Sequence, residues 1–184
     1  KDFRNHTNAG EIDYEDMHLG HMAERLRRGF YGEIDWAVIE VSDLDEGESM
    51  CKAFLTSAGG IVPTIARLAK KIIIEKNSYH SKASRYLHDV YEIGECPFRQ
   101  PIPILGVSDR IGKEYVEIDA KKIVGVVECN IPEEARAFKP LDSITQQMGH
   151  NVAEFLVADL KRGLIPSQFL PLQSGVGTTS NAVL

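Results

Sequence analysis

Apolar positions along this chain fall into two rhythms. Asp35–Ser42 (DWAVIEVS) is a short, nearly continuous run rich in β-branched residues, the character of a buried parallel strand; Ile72–Glu75 reads as another buried strand, and Lys122–Cys129 (KIVGVVEC) as a further strand. Between them the spacing becomes helical. His18–Arg28 places Leu19, Met22 and Leu26 on one face and stops at Gly29. Pro63 stands where a first-turn proline opens a helix running to Lys70. Asp142 is placed to cap a long helix with Ile144, Met148, Val152, Phe155, Leu156 and Leu160 on its inner face, ended by Gly163 and Pro166. Strand and helix alternate, which predicts an α/β protein built on a layered sheet.

The middle of the chain breaks this rhythm. Cys96–Pro103 carries Pro97, Pro101 and Pro103, and Pro-Ile-Pro fits neither a central strand nor a helix. Residues 78–120 therefore read as an excursion of short extended pieces and turns around Gly94, Gly106 and Gly112. Near the end, Leu170–Leu172 reads as the start of a strand. It leads into a glycine turn at Gly175-Val-Gly177, and Asn181-Ala-Val-Leu184 reads as a helix opening. That order turns backbone N–H groups toward a position an anion could occupy. Spacing alone leaves an anion or oxyanion site and a plain tight turn equally open. A Walker A loop is excluded because no Lys-Ser or Lys-Thr follows, and a Rossmann fingerprint because Ser180 stands where its third glycine belongs. A side chain in place of Gly177 is expected to crowd the turn. Thr56-Ser57-Ala58-Gly59-Gly60 is a second small-residue turn leaving an apolar segment. Two related halves, each offering a loop to one cleft, would leave such a pair.

Composition narrows the partners. A net charge of −6 recommends neither nucleic acid nor an anionic membrane. No apolar run approaches the ~20 residues that span a bilayer. Three widely spaced cysteines, Cys51, Cys96 and Cys129, predict free thiols in a reducing compartment, hence a cytoplasmic protein. His18 and His21, like His80 and His88, complete no metal-binding spacing, so no metal is expected. Glu40 and Glu75 are carboxylates inside apolar strands, which cross-strand pairing explains as readily as chemistry does. Cys51 has Lys52 beside it but no histidine–acid pair in sequence.

Several motifs in order resemble the acetyl-CoA hydrolase/transferase family, the class I CoA-transferases of the succinyl-CoA:acetate type. They are D-W-A-V-I-E-V-S (Asp35–Ser42), H-D-V-Y-E-I (His88–Ile93), P-I-P-I (Pro101–Ile104) with V-x-D-R-I-G (Val107–Gly112), I-D-x-x-K-I-V (Ile118–Val124), and P-L-Q-S-G-V-G followed by N-A-V-L (Pro171–Leu184). The resemblance implies two related CoA-transferase halves, of which this chain would be an internal part. Residues 1–77 would close the first half, 78–120 form the excursion between halves, and 121–184 begin the second half with its glycine loop.

The resemblance also implies a reaction. A glutamate carboxylate attacks an acyl-CoA thioester, the released CoA thiolate returns to form a glutamyl-CoA thioester, and an acceptor carboxylate takes the CoA. In relatives that glutamate lies downstream of N-A-V, so it is expected beyond Leu184, with no catalytic residue in this chain. Coenzyme A would be substrate and product, with an acyl-CoA and a short-chain carboxylate as ligands and a homodimer as the working form. Ser174, Gly175, Val176, Gly177 and Thr178 would contact CoA or the thioester oxyanion, supported by Asn181. Thr56, Ser57, Ala58, Gly59 and Gly60 would be the weaker counterpart. Thr178 stands where many relatives carry Asn or Ser. Rival readings are an acetyl-CoA hydrolase, a non-catalytic CoA-binding or assembly module, and a sugar-phosphate isomerase of related architecture.

Overall fold

A computed structural model describes residues 2–56, 59–94, 96–133, 140–169 and 172–184. The chain forms two compact units, residues 1–132 and 133–184. The boundary expected at residue 121 thus has β-structure of the first unit on its far side, as set out below.

In the first unit, α1 (Asp2–Asn8) and α2 (Leu19–Arg27) precede a five-stranded sheet. His18 caps α2 through its Nδ1, which accepts from the Gly20 N–H. Gly29, at φ +74°, ends it in a Schellman turn, with Gly29 N–H bonded to Leu26 and Phe30 N–H to Arg25. Met22 and Leu26 are half-buried as expected, whereas Leu19 is exposed.

The strands are β1 (Trp36–Asp45), β2 (Met50–Leu55), β3 (Lys71–Asn77), β4 (Val116–Asp119) and β5 (Ile123–Cys129), with α3 (Val62–Leu68) between β2 and β3. They lie in the order β4-β2-β1-β3-β5. β1, β3 and β5 run parallel, and β2 is antiparallel to both β1 and β4. The sheet is therefore mixed, and the expected excursion at 78–120 contains one of its strands. β4 finds its place by pairing with β2, from Met50↔Asp119 to Ala53↔Val116.

β4 and β5 are opposite edges of this sheet, yet a single 3₁₀ turn, Ala120–Lys122, joins them. From Asp119 to Ile123 a chain reaches at most about 14 Å. Four strand-to-strand steps across a flat sheet need about 19 Å. The sheet must curl until its edges approach. A bulge supplies bending: β1 pairs with β3 through Trp36–Val41 and with β2 through Val41–Asp45, and its register against β2 slips between Val41 and Asp43. Val41, Ser42 and Asp43 are consequently buried in succession.

The inner face gathers Ala37, Ile39, Val41, Ala53, Leu55, Ile72, Ile74, Val116 and Ile118, with Ala66 and Ala69 of α3 and its exit packed against them. Lys122, at the link, donates to the Ala66 and Arg67 carbonyls at the C-terminal end of α3. Over the bulge, the Arg85 guanidinium lies 3.8 Å from the centroid of the buried Phe54 ring and pairs with Asp45. Lys76, Lys82 and Arg85 surround the buried Asp43 carboxylate at 3.8–3.9 Å.

Asn77, at the end of β3, ties β1 to the segment that leaves β5. Its Nδ2 donates to Glu40 Oε1 (2.7 Å) and the Ile131 carbonyl (2.8 Å), while its Oδ1 accepts from the Tyr79 and Ile131 N–H groups (3.1 Å each). All four hydrogen-bonding positions of this buried amide are filled.

In the second unit, α4 (Ser143–Lys161) crosses α5 (Thr178–Val183). Asp142 caps α4, accepting from the Thr145 N–H and hydroxyl at 2.7 Å. Gly163, at φ +70°, closes it in a second Schellman turn. Of the stripe expected to face inward, Leu156 and Leu160 are half-buried, whereas Ile144 is 72% and Phe155 61% exposed, and Met148 and Val152 are exposed as well. The buried residues of α4 are instead Thr145 and Gly149. Leu172 belongs to no strand, residues 170 and 171 lie outside the described residues, and the final helix starts at Thr178, three residues before the expected Asn181.

Two predictions follow from these contacts. Asn77→Ala leaves buried partners unsatisfied and should cost about 2–3 kcal/mol in urea unfolding. Asn77→Asp should be worse at neutral pH, where a second carboxylate meets Glu40. The Thr145 backbone and hydroxyl donors hold the Asp142 carboxyl below the ordinary aspartate range. Its contribution to α4 is complete above an unfolded pKa of about 4 and is lost as pH falls through the lowered folded value. Amide exchange at Thr145, followed from pH 6 to pH 2, should show this loss in the wild type and not in Asp142→Ala.

Candidate functional site

The Leu172–Gly175 segment and α5 border a cavity of about 340 Å³ in the second unit. Ser174 and Gly175 line it together with Thr179, Ser180 and, from α4, Val152 and Leu156. Its wall depends on how closely the helices cross. A Cβ on Gly149 would lie 2.4 Å from the Ala182 carbonyl oxygen and 2.6 Å from its carbon. Only glycine lets α5 settle at this depth.

The expected site residues divide on this geometry. Ser174 and Gly175 meet at the cavity, while Val176 is fully exposed. Gly177 is the N-terminal boundary residue of α5, Thr178 begins the helix, and Asn181 donates its N–H back to the Gly177 carbonyl at 3.0 Å. The crowding expected at Gly177 is not found: a Cβ there meets nothing within 4 Å, and its φ of 167° is ordinary extended backbone. Thr179, Ser180 and Val183 line the cavity without having been singled out. Starting the helix at Thr178 would have placed them, because i, i+1 and i+4 then turn toward the same wall.

In the first unit, Gly59 and Gly60 border a smaller cavity of about 230 Å³ with Leu55, Pro63, His88 and Asp89. Gly60 takes φ +45°, a left-handed conformation that favours glycine. Ser57 and Ala58 lie outside the described residues. The buried Thr56 donates its hydroxyl to Glu40 Oε2 (3.2 Å), and its carbonyl accepts from His88 Nε2 (2.6 Å).

Two of the motifs behind the family resemblance close on each other here. The Asp89 carboxylate accepts from the Ile111 (3.2 Å) and Gly112 (2.6 Å) N–H groups, and Val90 and Lys113 exchange both backbone bonds. Arg110 donates to the Tyr86 and His88 carbonyls. A Cβ on Gly112 would come within 2.3 Å of the Val90 carbonyl oxygen. Asp109 accepts from Leu105 and Gly106 N–H groups, which hold its carboxyl below the ordinary range.

A further cavity of the first unit, about 680 Å³, lies against α3, Tyr91 and Tyr115. Its cations are engaged: Arg67 with Glu92 (2.8 Å), Lys113 with Glu117 (2.6 Å), and Lys122 with the α3 carbonyls. Glu40 accepts from Thr56 and Asn77 and lies 3.5 Å from His80, so cross-strand pairing accounts for it. The Cys129 thiol lies 3.4 Å from Glu75, and burial with that carboxylate pushes its pKa up, which disfavours the nucleophilic thiolate. Lys52 sits over the Tyr115 ring while Cys51 is buried. Among the described residues no cluster of His, Cys, Asp and Glu could hold a metal ion, and no helix is long and apolar enough to cross a membrane.

Residues 1–128 match the family model described as the acetyl-CoA hydrolase/transferase N-terminal domain. The chain belongs to the acetyl-CoA hydrolase/transferase family. Its relatives in that family include the propanoyl-CoA:succinate CoA transferase of Escherichia coli, 42% identical over 98% of this chain and 36% of the relative. The succinyl-CoA:acetate CoA-transferase of Clostridium kluyveri is 35% identical over the whole of this chain and 34% of its own length. An acetyl-CoA hydrolase of Schizosaccharomyces pombe is 34% identical over 96% and 34%. The chain thus spans about a third of these relatives. Among solved structures, RipA from Yersinia pestis superposes with a TM-score of 0.56 at 17% identity, over 98% of this chain and 33% of that one. A 4-hydroxybutyrate CoA-transferase from Porphyromonas gingivalis gives 0.50 at 21%, over 92% and 32%. At these identities the superpositions establish the shared α/β fold.

The Gly149 contact is open to a direct test. In a free helix, Gly→Ala is favourable by about 1 kcal/mol. Here Gly149→Ala should instead destabilise by about 1–3 kcal/mol, as overpacking does, and should speed amide exchange at Asn181 in α5 and at Leu184, its C-terminal boundary residue.

Proposed function

We propose that this chain serves a CoA-transferase that moves CoA between short-chain carboxylic acids of the succinyl-CoA/acetate type. The observation that carries the reading is the family match together with near-complete coverage by CoA-transferase relatives. In the proposed reaction a glutamate, supplied by sequence beyond Leu184, attacks the acyl-CoA carbonyl and forms a mixed anhydride while CoA thiolate leaves. The thiolate attacks the glutamyl carbonyl, releasing the first carboxylate and leaving a glutamyl-CoA thioester. The acceptor carboxylate then reverses both steps. Each tetrahedral intermediate carries an oxyanion that needs fixed donors.

Ser174 and Gly175 are the proposed contacts for CoA or this oxyanion, because they line a cavity at the motif that carries the resemblance. Val176, Gly177 and Thr178 are proposed to face the ligand, with open space beside Gly177 leaving room for it. Asn181 is proposed to brace the turn through its backbone bond to Gly177. Gly59 and Gly60 are the proposed counterpart in the first half. The same intermediates, met by water, would give acetyl-CoA hydrolysis, a second reading favoured by the hydrolases among the relatives. On this reading the protein is a cytoplasmic homodimer, consistent with its free cysteines.

The test is a steady-state assay of the full-length protein with succinyl-CoA and acetate. Transfer should show parallel double-reciprocal plots, the mark of a covalent enzyme intermediate, and should exceed CoA release without an acceptor. Hydrolysis at the same rate with and without acetate would favour the hydrolase. Turnover of neither kind would overturn both.

A further inference from the structure

H-D-V-Y-E-I and V-x-D-R-I-G are 14 residues apart in sequence, counted from Ile93 to Val107, and form one clasp in space. Its bonds are local and do not themselves require a ligand. What the clasp presents is the His88 side chain. Arg110 fixes the His88 carbonyl from one side, and the Asp89 carboxylate anchors the next residue to Ile111 and Gly112. The imidazole then donates from Nε2 to the Thr56 carbonyl at 2.6 Å. Glu40 holds the other end of Thr56 through its hydroxyl. Gly59 lies against the same ring, so that a Cβ there would stand 3.6 Å from His88 Nδ1. Gly59 in turn accepts from the Val62 N–H at 2.9 Å, which joins the turn to α3. His88, Gly59 and Gly60 all line the 230 Å³ cavity.

We infer that His88 is a positioning residue: it fixes the Thr56 carbonyl and the Gly59–Gly60 turn, and so sets the geometry of the proposed CoA-contacting loop of the first half. The functional half of this inference rests on the reading given under Proposed function. The structural half does not. The bond requires a proton on Nε2, because a carbonyl oxygen can only accept. Glutamine can carry an N–H to nearly the same place, whereas alanine cannot.

The experiment compares His88→Ala and His88→Gln in the full-length protein. Amide exchange at Val62 reads the turn, and CoA-transfer kinetics read its use. His88→Ala should exchange faster at Val62 and lose about 10- to 100-fold in kcat, with KM for acyl-CoA within about threefold of wild type, as expected of a misplaced group. His88→Gln should recover both. Unchanged Val62 exchange in His88→Ala overturns the structural half. Faster exchange with wild-type kcat overturns the link to turnover. A kcat loss that follows only the loss of folded protein, with glutamine no better than alanine, also overturns it. Should the wild type transfer no CoA, the proposed reaction fails, and the Val62 exchange still decides the role of His88 in the turn.

Discussion

The three residues joining the two edges of the sheet constrain the whole first unit. Ala120–Lys122 are too few to cross a flat five-stranded sheet, so the strands curl and one face becomes an interior. A curled interior is narrow, and alanines occupy it where larger residues would collide: Ala37, Ala53, Ala66 and Ala69 are all buried. The bulge after Val41 lets β1 serve β3 along its first part and β2 along its last. Lys122 is thereby carried to the end of α3, whose carbonyls it meets. Link, bulge and small residues form one arrangement. The outer face pays no part in it, and Trp36 and Val38 remain exposed there.

The strands easiest to read in the sequence were those with continuous β-branched runs, because β1, β3 and β5 are rich in valine and isoleucine. Helix ends were legible for a related reason: Gly29 and Gly163 stand at positions needing positive φ. β2 and β4 left weaker traces. Met50–Leu55 contains Cys51, Lys52 and Ala53, and β4 has only four residues beside a proline-rich stretch. Each is a strand through its partner rather than through its own composition. The apolar stripe of α4 marks another limit. Periodicity identifies a face of a helix without saying what covers it; Thr145 and Gly149 are the buried positions instead, and Gly149 makes the close contact.

At the candidate site, the position of the glycine turn was legible and its mechanics were not. Apolar and glycine spacing located the turn at Gly175, and the family resemblance added Ser174; both line a cavity. The same spacing gave no indication that Gly177 has room beside it while Gly149 has none, since the atoms that matter approach from 33 residues away in sequence, at Ala182. The Asp89, Arg110 and Gly112 contacts were equally hidden. Their partners are backbone groups, which carry no residue identity for a sequence pattern to show.

The obstruction facing Gly149 is main chain, the carbonyl carbon and oxygen of residue 182 as well as its Cβ. A side-chain collision can be relieved by trimming the opposing residue, so such positions can drift in pairs. This one has no such exchange available, because every amino acid at 182 carries the same carbonyl. Divergence at the crossing is thus one-sided: residue 182 can sample alternatives of its own, while residue 149 can change only if the two helix axes separate, and the cavity wall with them.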